Sequence, residues 1–208
     1  MTRVLLIGFG PFPGAPFNPS AALVKTLVRK RRLALANIDF ATHVFATTYA
    51  AVDHDLPKLF AAKPDVVLIF GLAGRRRQLC IETRARNAAS LLFPDASGHL
   101  PKRGVIALDE PASCTGNAPF ARLLGAVRAT AVPARLSRDA GRYLCNYAYW
   151  RALQRVREGR PLVQFVHIPP VRLGPRPRHR VRRRSPTLAA LVTAAEAILI
   201  ALIAASRG

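Results

Sequence analysis

Glu82, Cys145 and His167 lie far apart in the chain, each inside a short distinctive run: CIETRARN, SRDAGRYLCNYAYW and QFVHIPP. Their types are those of a thiol hydrolase. A thiol that attacks an amide needs a base to take its proton, and an acidic group to hold that base in the right tautomer. Each of the three also has an ordinary alternative. A cysteine is commonly a buried core residue, a histidine commonly bonds a backbone carbonyl, and a glutamate among arginines is commonly a surface ion-pair partner.

For these groups to meet, the fold must carry them to one crevice. Short apolar runs alternate with longer amphipathic stretches, which predicts an α/β domain: a three-layer α/β/α sandwich with a mostly parallel central sheet, in a single domain over residues 1–208. Strands are predicted at 3–7, 38–46, 65–70, 134–137 and 162–168, and helices at 19–32, 49–62, 119–129 and 141–157. Asn18 before Pro19 is a cap signal for the first helix. His167 falls at the end of an apolar strand, just before Ile168, Pro169 and Pro170 turn the chain out of the sheet. In open α/β sheets the crevice lies at those strand ends. Cys145 follows Gly141 near a helix start, where the positive end of the helix is expected to depress its pKa.

The three cysteines, Cys80, Cys114 and Cys145, are widely spaced and show no metal-ligand pattern. That predicts no metal, no disulfide framework and a reducing, cytoplasmic setting. The formal net charge is +21, and of the 32 basic residues only five are lysine. Such a surface attracts nucleic acid and anionic membranes. The densest stretch, the Arg-rich loop 171–184, has no aromatic side chain for stacking bases. A solvated loop is preferred there over a nucleic-acid or anionic-surface site. The apolar run at 186–205 approaches the length of a bilayer span. Glu196 in its middle, and Ser185 and Pro186 at its start, favour a terminal helix packed on the sheet, so no transmembrane segment is expected.

Four blocks together resemble the type I pyroglutamyl peptidases, also called pyrrolidone-carboxylate peptidases: GFGPFPGAPFNPS at 8–20, FGLAGRRRQLCIETRARN at 70–87, SRDAGRYLCNYAYW at 137–150 and FVHIPP at 165–170. The resemblance spans nearly the whole chain. It implies a cysteine peptidase that removes an N-terminal pyroglutamyl residue from peptides without a cofactor, with Cys145 as nucleophile, His167 as general base and Glu82 as the orienting acid. It further implies a lactam pocket formed by Phe9, Phe12, Asn18, Thr47, Leu72, Phe93, Tyr143 and Leu144, and an oxyanion or substrate contact from Arg84. Subunit number is left open, a homo-oligomer included. Departures from the family pattern are Thr83 directly after Glu82, the basic run Arg75–Arg77, Tyr143 in place of phenylalanine, and the arginines after His167. Two alternatives stand beside this reading. One is a related thiol hydrolase of another cyclic or N-acyl amide; the other is a basic nucleic-acid-binding module with an inactive site.

Overall fold

In the computed structural model, residues 1–12, 14–29, 35–172 and 185–208 are described. A six-stranded sheet runs in the order β2-β1-β3-β8-β4-β7. Its four leading strands, β2 (Ile38–Phe45), β1 (Thr2–Phe9), β3 (Val66–Leu72) and β8 (Leu162–Ile168), are mutually parallel. Strand β4 (Leu79–Glu82) runs against β8, and β7 (Ala134–Ser137) runs parallel to β4. Two short strands, β5 (Arg84–Arg86) and β6 (Ser113–Thr115), form a separate antiparallel pair.

Side chains alternate between two cores. Val4, Leu6, Leu68 and Val166 face helices α1 (Pro19–Val28), α3 (Phe120–Arg128) and α5 (Leu188–Ser206). Leu5, Ile7, Ile69 and Phe165 face α2 (Tyr49–Ala61) and α4 (Leu144–Leu153). Because both faces are covered, the central strands read as near-continuous apolar runs, as buried parallel strands must. The predicted three-layer α/β fold with a mostly parallel sheet is the observed one.

Local signals explain several boundaries. Asn18 caps α1, its Oδ1 accepting from the Ser20 backbone N–H at 3.1 Å and from the Ser20 hydroxyl at 2.8 Å. A Cβ on Gly8 would sit 2.9 Å from the Ser20 carbonyl oxygen, so glycine there lets α1 lie directly on β1. The predicted first helix extends to 32, but residues 30–34 lie outside the described ones. The predicted helix at 141–157 is shorter, because Tyr143 is extended at the N-cap and α4 starts at Leu144. The strand β4 is absent from the sequence reading. Four residues carry too little periodicity to announce themselves, and its partners come from remote segments.

Helix α5 is long and apolar enough to cross a bilayer. Leu191, Ala195, Ile198, Leu199 and Leu202 are nevertheless fully buried in the core it shares with α1, α3 and the sheet. A core leucine of this kind truncated to alanine costs about 2–5 kcal/mol. Of the Arg-rich loop, 173–184 lie outside the described residues; Val171 packs on the core, and the Arg172 N–H donates to the Pro186 carbonyl at 3.2 Å.

Candidate active site

The antiparallel pairing of β4 with β8 sets Glu82 opposite Phe165 and Cys80 opposite His167. Glu82 and His167 are thus diagonal neighbours on one face, the one covered by α4, within side-chain reach. Glu82 Oε1 and His167 Nδ1 are 2.8 Å apart, with the glutamate fully buried. Arg76, from the turn between β3 and β4, donates to the same oxygen at 2.5 Å, to Ser137 Oγ at 3.3 Å and to the Asp139 carbonyl. The Glu82 carbonyl accepts from the Tyr149 hydroxyl and from Gln164 Nε2, both at 3.1 Å, so its backbone is held too.

Burial pushes the Glu82 carboxyl up. Hydrogen bonds from His167 and Ser137, with the charge of Arg76, outweigh it and hold the group below its ordinary range. An ionised Glu82 accepts the Nδ1–H of His167 and leaves Nε2 as the ring's proton acceptor. The imidazole also packs against the Phe165 ring at 4.9 Å between centroids, which limits its rotation.

Cys145 is the second residue of α4. Its sulfur occupies space that Gly71 leaves open: a Cβ there would stand 2.8 Å from Cys145 Sγ and 2.7 Å from Phe165 Cζ. Gly71 is the register partner of His167 across β3 and β8, so the thiol lies over the strand next to the one that carries the imidazole. Gly71→Ala should lower kcat by about 100-fold through displacement of the sulfur, with near-native circular dichroism. A variant with unchanged kcat would mean that the thiol works from some other position.

The expected depression of the Cys145 pKa is not found. Burial, followed by the negative charge of Glu82, pushes the thiol up to about 12 against the opposing pull of Arg76 and of a backbone N–H. The helix terminus supplies only about half a positive charge, and removal from water exceeds it. The resting sulfur is therefore protonated.

The other predicted residues are placed unevenly. Phe9 belongs to the core, 2% exposed, between Phe45 and Phe165; it backs the site from behind. Phe12 keeps part of its surface, in a turn bridged to Ala15. Asn18 Nδ2 and Thr47 Oγ1 both donate to the Gly10 carbonyl at 3.1 Å, so the two hold the glycine turn while Asn18 also caps α1. Leu72 ends β3, opposite Ile168. Leu144 is buried at the start of α4. The Tyr143 hydroxyl, which a phenylalanine would lack, donates to the Pro94 carbonyl at 2.9 Å. Phe93 stands on that same loop, 64% exposed. Arg84 is turned elsewhere: its Nε donates to the Arg138 carbonyl at 2.9 Å. The guanidinium that reaches Glu82 is Arg76.

Arg76 stood out in the sequence only as part of a basic run, with no role, while Ser137, Gly71 and the residues that fasten the long loop between β5 and β6 gave no signal of theirs. Asp95 Oδ2 accepts the Tyr49 N–H at 2.9 Å, and Oδ1 accepts from Ser97 and His99. Asn146, next to Cys145, exchanges bonds with the Arg86 backbone and donates to the Ala88 carbonyl. The available signal was the Asp95-Ala96-Ser97-Gly98 run, whose turn-forming polarity is too general to single out its partners.

Comparison with known proteins agrees with this geometry. The pyroglutamyl peptidase family model matches residues 2–207. The pyrrolidone-carboxylate peptidase of Thermococcus kodakarensis is 31% identical over 170 residues, which cover 80% of this chain and 81% of the relative. That of Bacillus subtilis is 29% identical over 208 residues, 99% of this chain and 93% of the relative. Among solved structures, the pyrrolidone carboxyl peptidase of Thermococcus litoralis superposes with a TM-score of 0.85 at 27% identity, covering 98% of this chain and 94% of the other. Pyroglutamyl peptidase I of Bacillus amyloliquefaciens gives 0.80 at 26% identity, with 100% and 98% covered.

Proposed function

The chain belongs to the pyroglutamyl peptidase family, and we propose on that footing that Cys145, His167 and Glu82 carry out its reaction. It is a cysteine peptidase that removes an N-terminal pyroglutamyl residue from peptides. The observation that carries the residue assignment is the 2.8 Å contact between His167 Nδ1 and an ionised Glu82, with the Cys145 sulfur seated over Gly71 on the neighbouring strand.

Because the thiol is protonated at rest, His167 Nε2 takes its proton as the sulfur attacks the carbonyl that joins the pyroglutamyl ring to the next residue. The positive imidazolium is stabilised by Glu82, itself kept ionised by Arg76. A tetrahedral oxyanion forms. Tyr143 gives α4 no side-chain cap, so the first N–H groups of the helix, around Leu144 and Cys145, are available to receive that charge. The imidazolium then gives its proton to the departing amine, leaving a thioester. Water attacks the thioester with His167 again as base, and free thiol and pyroglutamate result.

The lactam is assigned to a pocket made by Phe12, Thr47, Leu72, Phe93, Tyr143 and Leu144, with Phe9 supporting it from the core. Such walls offer no partner for an open-chain ammonium, which would be desolvated uncompensated. A pyroglutamyl anilide should therefore be cleaved at least about 100-fold faster, by kcat/KM, than the glutaminyl anilide. Comparable rates would remove the ring-selective pocket. Release from an N-acyl or ring-enlarged anilide in preference to both would favour a related amide hydrolase instead. A reducing compartment such as the cytoplasm suits three thiols that form no disulfide.

A further inference from the structure

At the opposite end of the sheet a cavity of about 700 Å³ opens between the last turns of α2 and α4 and the turns leading into β3 and β8. It lies about 20 Å from the triad, the length of β3. Five cations line it: Lys63, Arg151, Arg155, Arg157 and Arg160. Asp65 is the only carboxylate in the described lining, and its Oδ2 already accepts the Arg3 N–H at 2.8 Å. Arg151 pairs with Asp53 at 3.0 Å. The other four cations form no ion pair among the described residues.

Backbone carbonyls hold two of them in place without cancelling their charge. Arg157 Nη1 donates to the Gln154 and Val156 carbonyls at 2.8 and 2.9 Å, and Arg160 Nη1 to the Ser206 carbonyl at 2.5 Å. Arg155 stacks over the Phe60 ring at 6.0 Å, and its Nε is buried with no hydrogen-bond partner. Basic residues often gather at helix C-termini to offset the macrodipole, and three helices end here: α2, α4 and, at the Ser206 carbonyl that Arg160 meets, α5. Each terminus supplies roughly half a negative charge. Set beside Asp65, Asp53 and Glu158 of the turn between Arg157 and Arg160, those dipoles leave the five cations in excess by only about half a charge, so the site rests on the placement of its guanidinium groups.

We propose that this cavity binds, once per chain, a compact anion of adjacent phosphate groups, with Arg155, Arg157 and Arg160 taking its oxygens and Phe60 forming an apolar wall. Planar guanidinium forks match phosphate oxygens two at a time, and the volume is that of a small-molecule site. An inorganic phosphate chain and a nucleoside triphosphate share this chemistry.

Calorimetric titration of the full chain with inorganic tripolyphosphate, and separately with ATP, tests it. One saturable site per chain is expected. Affinity should fall at least tenfold in Arg155→Gln/Arg157→Gln and in Arg155→Lys, which keeps the charge but loses the fork. It should stay unchanged in Arg122→Gln/Arg128→Gln on α3, which removes the same charge elsewhere. Peptidase turnover should be equal in all of them, which also certifies their folding and separates this site from the catalytic assignment. Tighter binding of ATP than of tripolyphosphate would place the base on Phe60, and equal binding would assign the phosphate chain alone. Absence of saturable binding, several weak ions per chain, or equal weakening by the α3 variant would overturn the proposal.

Discussion

Cys145→Ser is expected to lower kcat by on the order of 10⁴-fold while the melting temperature stays close to that of the parent. Serine replaces sulfur by a smaller and far less acidic nucleophile. The thiol already sits at about 12 in this site, so the proton transfer to His167 is demanding, and an alcohol makes it more so. Structural cost is small, since the side chain only fills the notch above Gly71. Assay with a pyroglutamyl anilide under thiol reductant, beside a thermal melt, separates the two effects. Turnover above a tenth of the parent rate would take the sulfur out of the chemistry.

Glu82→Gln should damage both catalysis and stability. The amide keeps the size of the carboxylate but loses the charge that faces Arg76 and stabilises imidazolium, and its NH₂ group favours the wrong ring tautomer. A kcat loss of about 10³–10⁴-fold follows. Breaking a buried ion pair from one side costs about 3–5 kcal/mol; Arg76 retains 22% exposure, which lowers the figure toward about 2–3 kcal/mol. The pH dependence gives a second check. The Glu82 pKa is lowered in the folded protein from its ordinary value of 4.5, so its stabilisation is fully present above about 4.5 and is lost as pH falls through the folded value. The difference in unfolding free energy between parent and Glu82→Gln should therefore be largest near neutrality and shrink in acid. A gap that is constant from pH 7 to pH 3, measured by urea unfolding, would show that the carboxylate contributes no charge-dependent stability.

Much of the architecture was written in local pattern. The apolar runs that became β1, β3 and β8 are buried on both faces, so they needed no alternation to be visible, and Asn18 with Pro19 marked the start of α1. The three residues proposed to react were also visible as candidates, because their types are scarce and their surroundings distinctive. Arg84 and Phe9 show the limit. Arg84 lies only two positions from Glu82, but the chain leaves the six-stranded sheet at Glu82 and re-forms as β5, which carries the Arg84 side chain to the Arg138 carbonyl instead. Phe9, which the resemblance puts in the pocket wall, packs in the same α2/α4 core cluster as Leu144, a depth that the sequence does not display.

Residue types and their order were enough to specify an α/β domain bearing a cysteine, a histidine and a glutamate suited to amide hydrolysis. Folding alone assigned Arg76 to Glu82, opened the notch at Gly71 for the sulfur, and raised the thiol's pKa instead of lowering it. Those three outcomes depend on β4 running against β8 and on how much water α4 excludes from the sheet. Pairing between remote strands and desolvation are sums over the whole packed molecule, and no short window of sequence contains either.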